Sequence, residues 1–195
     1  IETIHGDKPG PGNPSKMELA KKTILKVLES VPPHVNVGLR IYGNKRHGFN
    51  VCRATDRLVD IGQNTRAQIA NQLVNVEPLG KTPISYALNE SIHQDFYNRP
   101  GKKTIILVSD GAETCDQDPC TMAIGMVRSG IDVKINVVGF GLHDIAATRQ
   151  LKCVALSTFG KFYNTRTSAE LADSLRNTMQ ADTKVEGRII RPGEQ

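Results

Sequence analysis

The feature that most limits the fold of this chain is the apolar run Thr104–Val108, which is followed at once by Ser109-Asp110-Gly111. A short apolar run that ends in turn residues is typical of a strand buried on both faces of a parallel sheet. A second such strand is indicated at 133–137 and runs on to Gly139-Phe140-Gly141. Buried strands need helices on both sides, so these two runs predict an α/β fold.

Helical periodicity separates the predicted strands. Ser15 and Glu18 form a capping box that starts one helix, and Pro32-Pro33 stops it. The alternation predicts a doubly wound, mostly parallel sheet with helices on both faces, and the pairing of 51–61 back onto 34–42 adds one antiparallel edge strand. A further strand is predicted at 161–164, and helices are predicted to start at Gly80–Pro83, at Asp118-Pro119 and near residue 144. Two more helices are predicted to be capped, one by Thr65 with Gln68 and one by Thr167 with Glu170.

Composition excludes several classes of function. The net charge of +5 is scattered, Trp is absent, and aromatic residues make up 5% of the 195 residues, so no base-stacking surface and no nucleic-acid partner are expected. No apolar stretch approaches the length of a membrane span, so this segment is not expected to insert into a membrane. Signature motifs of α/β hydrolases and dinucleotide-binding enzymes are missing, and we expect no enzyme.

The segment Gly80-Lys81-Thr82 copies the end of a phosphate-binding loop, which would indicate an NTPase. The complete motif needs a glycine five residues before Gly80, and Asn75 stands there. Pro83 also removes an early helix amide that should face the phosphate. An NTPase, like a hydrolase, is therefore a weaker interpretation of this chain.

The four cysteines, Cys52, Cys115, Cys120 and Cys153, allow three disulfide pairings or four free thiols. Their spacing does not match a zinc site. We favour Cys52–Cys115 and Cys120–Cys153, because Cys120 and Cys153 lie on helices that follow consecutive strands; Cys115–Cys120 would close a very tight loop. Disulfides would indicate a periplasmic, cell-surface or secreted protein, and free thiols a cytoplasmic one.

Six segments, in order along the chain, resemble the bacterial von Willebrand factor A-type (VWA) domain family. The resemblance covers residues 1 to about 180, so we expect one VWA domain at 1–182 and a tail or linker at 183–195. The segments are Lys16-Met-Glu-Leu-Ala-Lys21, Val37-Gly-Leu-Arg-Ile-Tyr-Gly43, Gly80-Lys-Thr-Pro-Ile84, Val108-Ser-Asp-Gly-Ala-Glu-Thr-Cys115, Asp118-Pro-Cys120 and Val137-Val-Gly-Phe-Gly141.

The resemblance implies a metal-ion-dependent adhesion site at the carboxyl ends of the strands. Of its ligands, Thr82 matches the threonine on a later loop and Asp110 the aspartate after the next central strand. The cation would be Mg²⁺, or alternatively Ca²⁺ or Mn²⁺, since such ions take oxygen ligands. Hydroxyls and few carboxylates leave the ion electron-poor, and a partner protein would then supply a carboxylate. The function implied is a divalent-metal-dependent protein-binding or adhesion module.

This chain departs from the family pattern in one respect. The family's Asp-x-Ser-x-Ser motif does not occur in it, and no strand precedes Ile1. We therefore expect that the first strand is missing from this chain or comes from elsewhere, and that two of the three ligand elements remain. The alternative is a VWA-like scaffold without metal binding.

The candidate residues also have structural interpretations. Thr82 could cap the helix that starts at Pro83, and Asp110 before Gly111 could be a turn residue. Ser109 is expected to shape this edge of the sheet rather than bind metal. Glu113 and Asp116 are interpreted as solvated loop acids.

Overall fold

The computed structural model describes residues 14–29, 31–45, 50–115 and 117–181. The predicted tail at 183–195 and the Gly- and Pro-rich segment at 6–13 lie outside these ranges. The helices are α1 Lys16–Leu28, α2 Arg66–Val74, α3 Ile84–Glu90, α4 Pro119–Arg128, α5 Ile145–Ser157 and α6 Ser168–Ala181. The strands are β1 Val37–Tyr42, β2 Thr55–Gly62, β3 Thr104–Ser109, β4 Lys134–Phe140 and β5 Phe162–Thr165. A 3₁₀ turn, Val51–Arg53, precedes β2, and a π-helical turn, Ser91–Asp95, continues α3.

The predicted α/β alternation is confirmed, and the strands form two hydrogen-bonded groups. Strands β3, β4 and β5 make a parallel sheet in that order, in which Thr104 pairs with Lys134 and Val137 with Phe162. Strands β1 and β2 pair antiparallel, with Tyr42 opposite Thr55. Strand β2 is the predicted antiparallel edge strand, although it begins at Thr55 rather than at 51 because Val51–Arg53 forms a helical turn.

A gap separates β1 from β3, since no hydrogen-bonded ladder joins them within the described part of the chain. The hydroxyl of Tyr42 crosses this gap and donates a 2.8 Å hydrogen bond to the carbonyl of Val108. Tyr42 and Val108 lie near the carboxyl ends of their strands, so β1 and β3 end at the same edge. Neighbouring strands in a sheet lie about 4.8 Å apart, and the long tyrosine side chain bridges a wider separation than that.

Burial along the strands reflects this gap. Ile135–Phe140 in β4 is buried throughout, whereas every residue of β1 and four of the six residues of β3 are half-buried. The prediction that Thr104–Val108 is buried on both faces is therefore wrong for most of that run. Strand β4 has a hydrogen-bonded neighbour on each side, and β3 has one only on its β4 side among the described residues.

Helices α1 and α3 flank the gap. Ile24 of α1 packs against two apolar clusters, one that Ile106 and Val108 of β3 also pack against and one that Val37 and Leu39 of β1 also pack against. On the α3 side, Tyr42 of β1 packs against a third apolar cluster. Its buried members include Ile84 and Leu88 of α3 and Leu107 of β3. Each fully buried aliphatic side chain stabilises the fold by about 1.5–3 kcal/mol. Both sides of the gap are thus held in place by apolar packing through these two helices.

Of two predicted helix caps, the one at the start of α1 is confirmed and the one at the start of α2 is wrong. The backbone N–H of Ser15 donates to Glu18 Oε2 at 2.8 Å, and the N–H of Glu18 donates to Ser15 Oγ at 3.2 Å, so the capping box is formed. The prediction that Thr65 caps α2 through its side chain is wrong. Its hydroxyl instead donates to the carbonyl of Val37 at 2.6 Å, which ties the start of α2 to the start of β1.

Candidate functional site

Asp110 directly follows β3, at the edge where β1, β3 and β4 end. We call this edge, with the loops at 79–83 and 110–115, the rim. The side chain of Asp110 is 65% exposed, and the ammonium of Lys16 lies 4.0 Å from its carboxylate. Ser109, just before it, is buried and its hydroxyl donates to the carbonyl of Gly111 at 2.9 Å. Ser109 thus holds the turn, and Asp110 projects to solvent.

The loop that carries Thr82 is fixed to the end of β1. The backbone N–H groups of Leu79 and Gly80 both donate to the carbonyl of Gly43, at 3.0 and 2.8 Å. A Cβ atom at Gly80 would lie 2.1 Å from the carbonyl oxygen of Lys45, so only glycine allows this approach. The described residues 75–79, between the end of α2 and this loop, form no strand. The arrangement therefore differs from the strand–loop–helix of a phosphate-binding loop.

Two hydrogen bonds, one to a side chain and one between backbone groups, fasten the Thr82 loop to the loop after β3. The N–H of Thr82 donates to Thr114 Oγ1 at 2.7 Å, and the N–H of Thr114 donates to the carbonyl of Thr82 at 3.2 Å. The loops of Thr82 and Asp110 therefore run side by side. No hydrogen bond or ion pair joins Thr82 to Asp110 themselves in the described ranges.

Glu113 is a structural acid, and its interpretation as a solvated loop residue is wrong. Its Oε2 accepts from the backbone N–H of Ser85 at 2.8 Å, and its Oε1 accepts from that of Cys115 at 3.0 Å. Gln150 accepts in turn from the N–H of Glu113 at 3.0 Å. Asp116 lies outside the described residues.

The hydrogen bond from the N–H of Ser85 to Glu113 also overturns the interpretation of Thr82 as the cap of α3. Helix α3 begins at Ile84 after Pro83, with no side-chain cap from its own segment. Glu113 supplies the carboxylate from another loop, and a carboxylate is favourable at the positive end of a helix.

One of the two disulfides braces the rim, and the other joins two helices. Cys52 is bonded to Cys115, which ties the loop after β3 to the turn before β2, and Cys120 is bonded to Cys153, which ties α4 to α5. The Cα atoms of each pair are 5.4 Å apart. Because all four cysteines are paired, the structure suits an oxidising compartment.

The oxygens at the rim fit a hard divalent cation in chemical type. Thr82 offers a hydroxyl and Asp110 a carboxylate, and these are the donors that Mg²⁺ prefers. Two donors fill only part of a coordination shell of about six oxygens. No group of three or more histidine, cysteine or acidic residues that could hold a metal occurs in the described ranges.

The sequence analysis does not identify two further oxygens that lie near the Thr82 loop. Asn44 Oδ1 and Ser85 Oγ are buried and have no hydrogen-bond partner among the described residues. Asn44 follows Gly43, to which the Thr82 loop is bonded, and Ser85 lies three residues after Thr82. Leaving a buried hydroxyl or amide oxygen unpaired costs about 1–3 kcal/mol, so a polar ligand at this end of the sheet would stabilise the fold. No local sequence pattern marks either residue.

The family model of the von Willebrand factor type A domain matches residues 10–178. The chain belongs to the VWA domain family. Its similarity to the uncharacterized protein YwmD of Bacillus subtilis amounts to 26% identity over 179 residues, which are 89% of this chain and 80% of YwmD. Proteins of this family are generally non-enzymatic interaction modules.

Solved VWA structures share the fold. The von Willebrand factor domain of the type V pili tip protein Mfa5 from Porphyromonas gingivalis superposes with a TM-score of 0.65 at 14% identity, covering 93% of both chains. Proximal thread matrix protein 1 from the mussel byssus superposes with a TM-score of 0.63 at 16% identity, over 85% of this chain and 40% of that one. In that structure the metal-ion-dependent adhesion site (MIDAS) motif is occupied by zinc. Within the described residues of this VWA domain, no helix is long and apolar enough to span a membrane.

Proposed function

We propose that this VWA domain binds a partner protein through a divalent cation, Mg²⁺ or alternatively Ca²⁺ or Mn²⁺, held at the rim by Thr82 and Asp110. The observation that carries the proposal is the pair of hydrogen bonds between Thr82 and Thr114, which fixes the Thr82 loop beside the loop of Asp110. The exposed carboxylate of Asp110 faces solvent, where a partner can reach it. The domain is proposed to work in the periplasm, at the cell surface or in secreted form, where its disulfides persist.

The remaining ligands are proposed to come from an extended segment between β1 and β3. The gap there has strand edges on both sides and apolar residues of α1 and α3 above and below it. An apolar strand in this position would pair with both edges and end at the rim. This is the place that the family's first strand, with its Asp-x-Ser-x-Ser motif, would take in the sheet.

The partner is proposed to supply a carboxylate as a ligand. A cation held mainly by hydroxyls and a single carboxylate keeps most of its positive charge, so an acidic side chain is the preferred incoming donor. Electrostatic attraction would then make the interaction depend on the cation rather than on a large apolar surface.

Titration with Mn²⁺, followed by electron paramagnetic resonance, tests the metal site. Asp110→Ala and Thr82→Val each remove one donor and should weaken Mn²⁺ binding at least about tenfold, or by ~1.4 kcal/mol. Asp132→Ala is the matched control, because this exposed aspartate precedes β4 at the opposite end of the sheet. Equal Mn²⁺ affinity in all four proteins would contradict the proposed ligands.

A scaffold without metal binding is the second candidate, and the pairing of Lys16 with Asp110 favours it. An ammonium 4.0 Å from the carboxylate partly neutralises that carboxylate in the absence of any metal ion. The scaffold predicts that Mg²⁺ changes neither the melting temperature nor the binding of a partner protein. The metal-dependent module predicts a rise in melting temperature on adding Mg²⁺, because a ligand that binds only the folded state stabilises it.

A further inference from the structure

Lys16 lies at the rim although its helix gives no reason for a cation there. It is the first residue of α1, and a positive charge is unfavourable at the positive end of a helix. Its side chain is nonetheless only 13% exposed. A lysine at an exposed helix end would normally extend its ammonium into water, so contacts elsewhere must hold this one.

Those contacts come from the ends of two strands. Lys16 Nζ donates to the carbonyl of Gly141, directly after β4, at 3.4 Å, and lies 4.0 Å from Asp110 Oδ2, directly after β3. The lysine stem packs on Gly141, where an added Cβ would lie 3.1 Å from Lys16 Cε. Gly141 also has a φ of +64°, so glycine is favoured there on two grounds. The ammonium is thus held over the same edge of the sheet as the proposed metal ligands.

We propose that Lys16 is the resident cation of the rim, which neutralises Asp110 while no divalent ion is bound and is displaced from Asp110 when one binds. The inference rests on the proposed function, because it assumes that Asp110 is a metal ligand. An ammonium has only donors and cannot coordinate a cation, so Lys16 and the metal ion compete for the same carboxylate. The flexible four-carbon stem allows the ammonium to move away without a change in the backbone.

The consequence is a threshold for metal binding. Each divalent ion that binds must separate Lys16 from Asp110 and then tolerate a positive charge nearby. Lys16 therefore lowers the affinity of the rim for cations, so that the site fills only where divalent ions are abundant. Partner binding would follow the divalent ion concentration over that range.

Four proteins test this inference by Mn²⁺ titration at constant ionic strength. Lys16→Met keeps the apolar stem and removes the charge. It should bind Mn²⁺ about tenfold more tightly than the wild type, which corresponds to ~1.4 kcal/mol of binding free energy. Lys16→Arg keeps the charge and should bind Mn²⁺ like the wild type. Lys22→Met removes an exposed charge from the same helix, away from the rim, and should leave the affinity unchanged.

A second readout follows Lys16 itself. Acetylation by an amine-reactive reagent, read by mass spectrometry, should label Lys16 slowly without Mg²⁺ and several times faster with it, whereas Lys22 labels equally in both. This measurement does not depend on any partner protein.

The outcomes separate this inference from the proposed function. If Lys16→Met binds Mn²⁺ like the wild type while Asp110→Ala has lost binding, the threshold role of Lys16 is overturned and the metal site stands. Equal gains in Lys16→Met and Lys22→Met would also overturn it, since the effect would then be one of net charge. If none of the proteins binds Mn²⁺, both the inference and the proposed function fail.

Discussion

The backbone N–H of Thr82 donates a 2.7 Å hydrogen bond to the side-chain oxygen of Thr114, and the N–H of Thr114 donates back to the carbonyl of Thr82 at 3.2 Å. These residues are 32 positions apart in the chain and lie on loops that follow different elements. Their contact fixes the spacing between the two loops that carry the proposed ligands. The rim is therefore preorganised by Thr114, a residue that offers no ligand of its own in the proposed site.

Thr114→Val should weaken metal binding without removing a ligand. Valine has the shape of threonine but leaves the Thr82 N–H without its acceptor, which costs about 1 kcal/mol of unfolding free energy. We expect the Mn²⁺ affinity to fall several-fold, as measured by paramagnetic resonance. Ser91→Ala is the control, because the Ser91 hydroxyl donates within its own helix, to the carbonyl of Ala87. Unchanged Mn²⁺ affinity in Thr114→Val would show that the contact does not position the Thr82 loop.

Glu113→Gln should destabilise the fold by about 1.5–3 kcal/mol, the range for hydrogen bonds to a charged group. Its two carboxylate oxygens accept from the N–H groups of Ser85 and Cys115, and an amide side chain has only one accepting oxygen. Urea denaturation measures the loss. Glu77→Gln changes an exposed acid and should leave the stability within experimental error. A loss as small for Glu113→Gln as for Glu77→Gln would contradict the structural role of Glu113.

The two disulfides should differ in their effect on the rim. The bond between Cys52 and Cys115 links residues 63 positions apart and the bond between Cys120 and Cys153 links residues 33 apart, so each stabilises the fold by about 4 kcal/mol on the loop-entropy model. Replacing either pair with serines should lower the unfolding free energy by similar amounts. Only the loss of Cys52–Cys115 should also weaken Mn²⁺ binding, because Cys115 lies in the loop that contacts Thr82. Equal weakening from both pairs would point to a general loosening of the fold.

Acid should destabilise the start of α4. Hydrogen bonds from the Thr121 hydroxyl and from the N–H groups of Cys120 and Thr121 lower the pKa of Asp118 below its ordinary value of 3.8. A group whose pKa is lower in the folded state stabilises the fold above its unfolded pKa, and that stabilisation is lost as the pH falls through the folded pKa. Asp118→Asn should therefore remove part of the decline in unfolding free energy below about pH 4. A pH profile identical to that of the wild type would contradict this role of Asp118.

Elements that depend on local periodicity could be predicted from the sequence. The capping box of Ser15 and Glu18 and the start of α4 at Asp118-Pro119 lie where the pattern indicates, because every interacting group is within three residues. The alternation of helices and strands also gives the α/β class. Each of these features depends on neighbouring residues alone.

The favoured disulfide pairing, Cys52–Cys115 and Cys120–Cys153, is confirmed. Other contacts between distant residues could not be predicted. Thr65 has the sequence of a helix cap, but a carbonyl 28 residues away accepts its hydroxyl proton. Glu113 has the sequence of a solvated acid, but the free amide of Ser85 attracts its carboxylate. The half-burial of β3 depends on which strand lies beside it, and no property of the run Thr104–Val108 contains that information.

The most direct test of the central claim is a Mg²⁺ titration of the ¹⁵N-labelled protein, followed by the shifts of its backbone amides. The proposed site predicts saturable shifts confined to residues 80–85 and 109–114, no shifts at 131–134 at the opposite end of the sheet, and no shifts in Asp110→Ala. Saturable shifts centred away from the rim, or none at all up to millimolar Mg²⁺, would contradict the claim that Thr82 and Asp110 hold a divalent cation.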